Sequence, residues 1–201
     1  MSNRIQLRTV KPKRNHHDKQ YKSYRSYKNL LRSDFNNKCG YCDVLDIYVG
    51  GKNGFHIDHF RPKSKFPHLE VDYSNLIYAC PYCNIAKSDD WPGNNTESVV
   101  QNKGYIDPCS DEYDDHLCRL SNGRIIAITK LGKYMKQRLK LDLKRHQLIW
   151  INEKLDKLLR ELNYYIKKTD KSDPRRNELI SCLSDVLDSY LESKDHYRET
   201  L

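Results

Sequence analysis

No stretch of this 201-residue sequence approaches the roughly 20 consecutive apolar residues that a membrane span requires. No apolar centre follows the basic N-terminal residues either, so nothing in the sequence points to export. Apolar residues are scarce overall. A hydrophobic share of 37% against 31% charged residues leaves material for only a small core, and small cores are commonly reinforced by a structural metal. A disulfide framework is missing too. The seven cysteines are odd in number and four of them stand in metal spacing, which suits a reducing compartment and predicts a cytoplasmic protein. No internal repeat and no base-reading helix can be recognised.

Negative charge is almost absent from one segment. Residues 1–38 hold eleven Lys and Arg against two Asp and Glu, whereas the other 163 residues hold 25 of each sign. The whole formal excess of +9 therefore lies in an N-terminal arm. Such an arm suits a polyanion, because contacts to phosphates are strong, blind to sequence and sensitive to salt. Residues 1–17 lack apolar periodicity and predict no fixed structure in the absence of a partner. From Asp18 to Phe35, Tyr21, Tyr24, Tyr27 and Leu31 recur at helical spacing with Lys22, Arg25, Lys28 and Arg32 between them, which predicts a basic helix. Its tyrosines read first as a packing face, which leaves the cations to line a nucleic-acid side.

What the sequence does have is a dense stretch from Cys39 to Lys87. It opens with Cys39-Gly-Tyr-Cys42 and closes with Cys80-Pro-Tyr-Cys83-Asn84. Two such pairs fit one tetrahedral zinc, since each two-residue loop turns both thiolates toward one ion at about 2.3 Å. Between them lie 37 residues, a much longer gap than the roughly 15–20 of a plain four-cysteine finger. The zinc would thus staple a large loop, and that loop carries Phe55-His56-Ile57-Asp58-His59-Phe60-Arg61-Pro62-Lys63 and Asp72-Tyr73-Ser74-Asn75-Leu76. A turn at Gly50–Gly54, a strand at Phe55–His59, an apolar run from Asn75 to Ala79 and a helix starting at Asn84 are expected: two strands, then a helix.

Phosphodiester hydrolysis needs an activated water and a positive centre on the phosphate. His59 is the candidate general base. Asp58 and Asn84 offer hard oxygen ligands for Mg²⁺ or Mn²⁺. Asn75 can hold the base or its loop, and Arg61, Lys63, Lys65 and Lys87 can hold phosphates. Adjacent strand residues point to opposite faces, so either the backbone bends just before Pro62 and lets both Asp58 and His59 reach the site, or His56 joins Asp58 as a metal ligand. Asp107, Asp111, Glu112, Asp114, Asp115 and His116 read as an exposed acidic loop rather than a second metal site. Ser121-Asn122-Gly123 marks a hairpin. A long helix over about Leu131–Lys168 and a second from Asp173-Pro174 to about Glu199 predict an antiparallel helical hairpin.

These motifs resemble the HNH endonuclease family in its zinc-stapled form. The resemblance rests on Cys39-x2-Cys42, Asp58-His59-x2-Pro62, Asn75-Leu76, Cys80-x2-Cys83-Asn84 and Lys87. It implies an α+β protein with a ββα-metal core, one catalytic divalent ion and cleavage of DNA, with RNA left open. His59, Asn75 and Asn84 fall on the family's motif positions; Asn84 stands where many members have His, a variant also seen in active ones. His59-Phe-Arg-Pro-Lys-Ser and Tyr105-Ile-Asp-Pro-Cys109 further resemble HNH nucleases of anti-phage defence, including the nuclease subunit of Septu-type systems. That narrower resemblance implies an ABC/SMC-like ATPase partner and sometimes a retron component. Three parts are expected: the basic arm and helix over 1–38, the zinc-stapled nuclease domain over 39–129, and a helical hairpin over 130–201 suited to docking a partner. The competing reading is a four-cysteine zinc module that binds nucleic acid without cutting it, or a degenerate HNH subunit within a complex.

Overall fold

The computed structural model describes residues 4–16 and 18–200; Met1–Asn3, His17 and Leu201 lie outside the described residues. Its thirteen named elements are mixed helix and strand, so the chain is α+β, and it divides into two units at Leu143/Lys144 rather than at residue 130.

In the first unit, strands β2 (His56–His59) and β3 (Leu76–Ala79) pair antiparallel, with His56 opposite Ala79 and His59 opposite Leu76. Helix α3 (Pro81–Lys87) follows at once, with Cys80 as its N-cap and proline at the first turn, where its missing N–H costs nothing. This is the expected two-strand-and-helix order. Helix α1 (Lys28–Asp34) and the one-turn α2 (Gly51–Gly54) precede it. The tyrosine stripe is shorter as a helix than its periodicity predicts: Tyr24–Tyr27 is a 3-10 turn, and only Lys28–Asp34 is α-helical. Tyr27 and Leu31 are buried, whereas Tyr24 is half-buried.

The arm also differs from expectation. Arg4–Gln6 form strand β1, which joins β6 (Leu117–Leu120) and β7 (Ile125–Ala127) in a sheet ordered β1-β6-β7. Leu7 is 1% exposed beside this strand. The partner strand lies more than a hundred residues away, so no local periodicity could announce it. Three of the arm's cations meet the acidic loop: Arg8 pairs with Asp114 at 3.0 Å, Lys11 with Asp111 at 2.8 Å and Arg14 with Asp107 at 2.9 Å. Three of the arm's eleven cations are thereby paired within the chain. His16 Nδ1 lies 2.9 Å from Asp34. The Ser121-Asn122-Gly123 turn joins β6 to β7 as expected, and a further two-residue pair, β4 (Val99–Val100) and β5 (Lys103–Gly104), lies in the segment read as irregular.

The single long helix expected over 131–168 is two helices, α4 (Lys130–Arg138) and α5 (Lys144–Lys168). Leu139, Leu141 and Leu143 alternate rather than recur at helical spacing, and Lys140 takes a left-handed φ of 50°. That alternation marks the break without any proline or glycine.

In the second unit, α5 and α6 (Arg175–Arg198) run antiparallel. Arg145 donates to the carbonyl of Thr200, and Arg176 to the carbonyl of Ile166. Helix α6 starts one residue later than its sequence suggests, with Pro174 at the N-cap position; Asp173 just before it accepts from the Arg175 N–H at 2.9 Å. Among the described residues, no helix is long and apolar enough to cross a membrane.

Candidate metal centre and catalytic cleft

All four paired cysteines are at most 1% exposed, and their sulfurs lie within 4.8 Å of one another. Cys42 Sγ and Cys80 Sγ are 3.7 Å apart, close to the edge of about 3.8 Å that a tetrahedron of 2.3 Å zinc–sulfur bonds would have. Four thiols with no competing oxygen ligand fit a closed, structural zinc site. Among the described residues this is the one cluster of three or more His, Cys, Asp or Glu groups able to hold a metal. The first pair sits on a tight knuckle: the Cys39 N–H donates to the Val44 carbonyl, and Asp43 is left-handed at φ 61°. Gly40 is required there, since a Cβ would come within 2.7 Å of the Phe35 ring.

The staple reaches the cleft through two side chains. Tyr41, inside the first pair, donates its hydroxyl to Asp58 Oδ2 at 2.5 Å. Lys87, on the helix that the second pair starts, lies 3.1 Å from the same carboxylate and donates to the His59 carbonyl at 2.8 Å. Lys87 was expected among the phosphate-holding cations; instead it is 0% exposed and committed to Asp58, so it presents no charge at the surface. Burial raises the Asp58 carboxyl above its ordinary value, opposed by Lys87 and by the Tyr41 hydrogen bond. Burial likewise drives the Tyr41 hydroxyl well up, which keeps it a donor.

His59 Nε2 lies 2.9 Å from the Glu70 carbonyl oxygen. A carbonyl only accepts, so Nε2 carries the proton and the neutral ring keeps its lone pair on Nδ1. Burial lowers the His59 pKa, with the Glu70 carbonyl and Asp58 acting the other way, so the ring is neutral at pH 7. Tyr24 packs edge-on against it at 4.8 Å between centroids. Asn75 is 4% exposed and ties down the loop: its Oδ1 accepts from the Arg61 N–H at 2.8 Å and its Nδ2 donates to the Arg61 carbonyl at 3.0 Å.

Asp58, His59 and Asn84 line one open cleft of about 490 Å³, with Tyr24, Lys63 and Asp89 around them. His56 faces an adjoining cleft, and its Nδ1 is 2.9 Å from Asn84 Nδ2. Asn84 therefore stands between the two clefts. Of the remaining expected phosphate contacts, Lys63 bonds Glu70 at 3.0 Å on the cleft rim and Lys65 is exposed. The Arg61 guanidinium is engaged by the Asn95 and Thr96 carbonyls beside the Phe66 and Trp91 rings. Sequence reasoning missed Tyr41, although its place between two zinc-spaced cysteines is a legible signal. It also missed the Glu70 carbonyl, which no side-chain pattern reveals.

Residues 39–90 match the HNH endonuclease family. They are an HNH endonuclease domain. Two curated relatives are similar to part of this chain. The Septu protein PtuB of Bacillus mycoides (strain KBAB4) is 29% identical over 114 residues, 46% of this chain and 38% of that protein. The Septu protein PtuB of Bacillus thuringiensis is 40% identical over 53 residues, 26% of this chain and 20% of that protein. The chain thus spans well under half the length of the curated relatives it matches. No solved structure matches it.

Proposed function

We propose that this chain is a metal-dependent endonuclease that hydrolyses phosphodiester bonds in DNA, with His59 as general base. The observation that carries this reading is the His59 ring itself: Nε2 is held by the Glu70 carbonyl, and the Nδ1 lone pair remains in a ring that shares its cleft with Asp58 and Asn84. A base so placed takes the proton of an attacking water, and its lowered pKa keeps it unprotonated at neutral pH. Asp58 and Asn84 supply the oxygen ligands for one Mg²⁺ or Mn²⁺. With Asn84 Nδ2 turned to His56, its Oδ1 is left for that role, so His56 orients Asn84 in this reading. When bound, the ion supplies Lewis-acid stabilisation of charge on the phosphate and leaving oxygen. Lys87 and Tyr41 hold the Asp58 carboxylate in place, Asn75 holds the loop after His59, and zinc on Cys39, Cys42, Cys80 and Cys83 fixes both ends of the assembly. The two Septu PtuB relatives support a role as effector in anti-phage defence; the motif resemblance alone extends this reading to an ABC/SMC-like ATPase subunit and in some settings a retron component as partners.

The test is a plasmid-cleavage assay with Mg²⁺ or Mn²⁺, alone and with the product of the neighbouring gene, and with zinc measured on the same samples. His59→Ala should lose about 10²–10⁴-fold in rate, the usual contribution of a general base, while keeping its thermal midpoint and about one zinc per chain. Zinc and DNA binding without cleavage under every condition would instead support a binding module or degenerate subunit.

A further inference from the structure

The cleft next to that of His59 has a different charge character. It measures about 430 Å³ and is lined by Tyr24, Arg25, Lys28, Asn53, His56 and Asn84 among others, and no carboxylate faces it. The His59 cleft, by contrast, carries Asp58 and Asp89. Neither Arg25 nor Lys28 has a carboxylate partner among the described residues; Lys28 donates to the Phe55 carbonyl at 2.6 Å, and Arg25 is exposed near the Tyr24 ring. Tyr24 forms a ridge common to both clefts: one edge contacts His59, and Lys63 lies 5.1 Å from its centroid. Partial burial and the nearby Lys52 push the Lys28 ammonium below its ordinary value, as expected for a cation among like charges awaiting an anion.

We infer that this cleft is a phosphate subsite for the nucleic-acid strand being cut, with Arg25 and Lys28 holding a phosphate neighbouring the one presented to His59. The assignment rests on the endonuclease reading for the identity of the strand. It places the strand contacts on the 3-10 turn and α1 upstream of the HNH domain, where two cations face an anion-sized space without a counter-charge. Lys87, three residues after Asn84, is spent on the Asp58 carboxylate and the His59 carbonyl. Arg25 suits the role because its planar fork can meet two phosphate oxygens at once. Tyr24 separates the two clefts and holds the His59 ring, acting as a positioning residue.

The experiment measures binding of a fluorescent 20-base-pair duplex to full-length protein carrying His59→Ala, at a series of NaCl concentrations. Each phosphate contact contributes about 0.9 to the slope of log affinity against log salt. Adding Arg25→Ala should lower the slope magnitude by about 0.9, and Arg25→Ala with Lys28→Gln by about 1.8. Arg25→Lys should restore most of the slope, and Lys133→Ala, an exposed cation of α4, should leave it unchanged. Should Lys28→Gln lower the thermal midpoint, Arg25→Ala with its lysine rescue carries the test alone. A slope in the Arg25 variants equal to that of the Lys133 control overturns the subsite, as does absence of salt-dependent binding by the parent. Competition by inorganic phosphate that is equal for parent and Arg25→Ala would also overturn it. The two readings separate cleanly: plasmid cleavage with an unchanged slope keeps the endonuclease and removes the subsite, and a slope loss in a protein that never cleaves does the reverse.

Discussion

Asp58 and His59 are neighbours in the chain whose side chains have different partners. Asp58 is oriented by groups that the cysteine staple positions, Tyr41 and Lys87, and His59 by a backbone carbonyl of the following loop. The strand geometry that sets adjacent residues apart is thus kept, and both still border one cleft because β2 ends at His59. The Tyr41 hydroxyl should then matter to chemistry beyond its place in the zinc knuckle. Tyr41→Phe removes the hydroxyl bond to Asp58 Oδ2 and leaves that buried oxygen to Lys87 alone, which should cost about 1–3 kcal/mol in urea unfolding. Cleavage should fall while zinc stays at one per chain. Unchanged cleavage in that variant would reduce the Tyr41–Asp58 bond to a structural contact.

Asp90, the last residue of the HNH domain, gathers three donors from later elements: the hydroxyls of Tyr105 at 2.6 Å and Tyr134 at 2.5 Å, and the Arg138 guanidinium at 3.0 Å. Two of them belong to α4, so this carboxylate ties α4 to the end of α3. Burial alone would raise the Asp90 pKa, but the three donors outweigh it and hold it below its ordinary value. A carboxylate depressed in the folded state stabilises fully above its unfolded pKa, about 3.9, and loses that contribution as pH falls through the lower folded value. The stability difference between wild type and Asp90→Asn should therefore be constant from about pH 5 to 8 and shrink below about 3.9. Urea titrations across that range check it, and a difference that persists undiminished at the acid end would assign the effect to packing.

Across the whole molecule, the division at Leu143/Lys144 and the reach of α4 back to Asp90 dictate where the chain tolerates shortening. Truncation after Leu143 should keep the thermal midpoint and zinc content of the first unit and its cleavage activity. Truncation after Thr129 removes Tyr134 and Arg138, leaves Asp90 only Tyr105 of its three donors, and should lower the midpoint by several degrees, since about 1 kcal/mol shifts a domain of this size by roughly 2–4 °C. Calorimetry on the two fragments checks this; equal midpoints would show that α4 contributes nothing to the first unit. Loss of a partner from both fragments would assign docking to the α5–α6 hairpin. The net charge of +9 overstates what the arm offers to nucleic acid, because Arg8, Lys11 and Arg14 are already paired with Asp114, Asp111 and Asp107.

The sequence by itself determined the two cysteine pairs and their convergence into one four-thiol cluster, the two-strand-and-helix order around Asp58-His59 and the β6–β7 turn. Each of these depends on spacing, capping or turn chemistry between residues close in the chain, or on ligands whose valence demands a common centre. Tertiary structure alone decided that Arg4–Gln6 form a strand, that Lys87 is buried, and that Arg61 is engaged by Asn95 and Thr96. It also decided that Arg25 and Lys28 stand beside the cleft lined by Asp58 and His59. A lysine reads the same in sequence whether its ammonium meets water or a buried carboxylate. Only the packing of α3 under β2 removes Lys87 from solvent and leaves Asp58 its counter-ion.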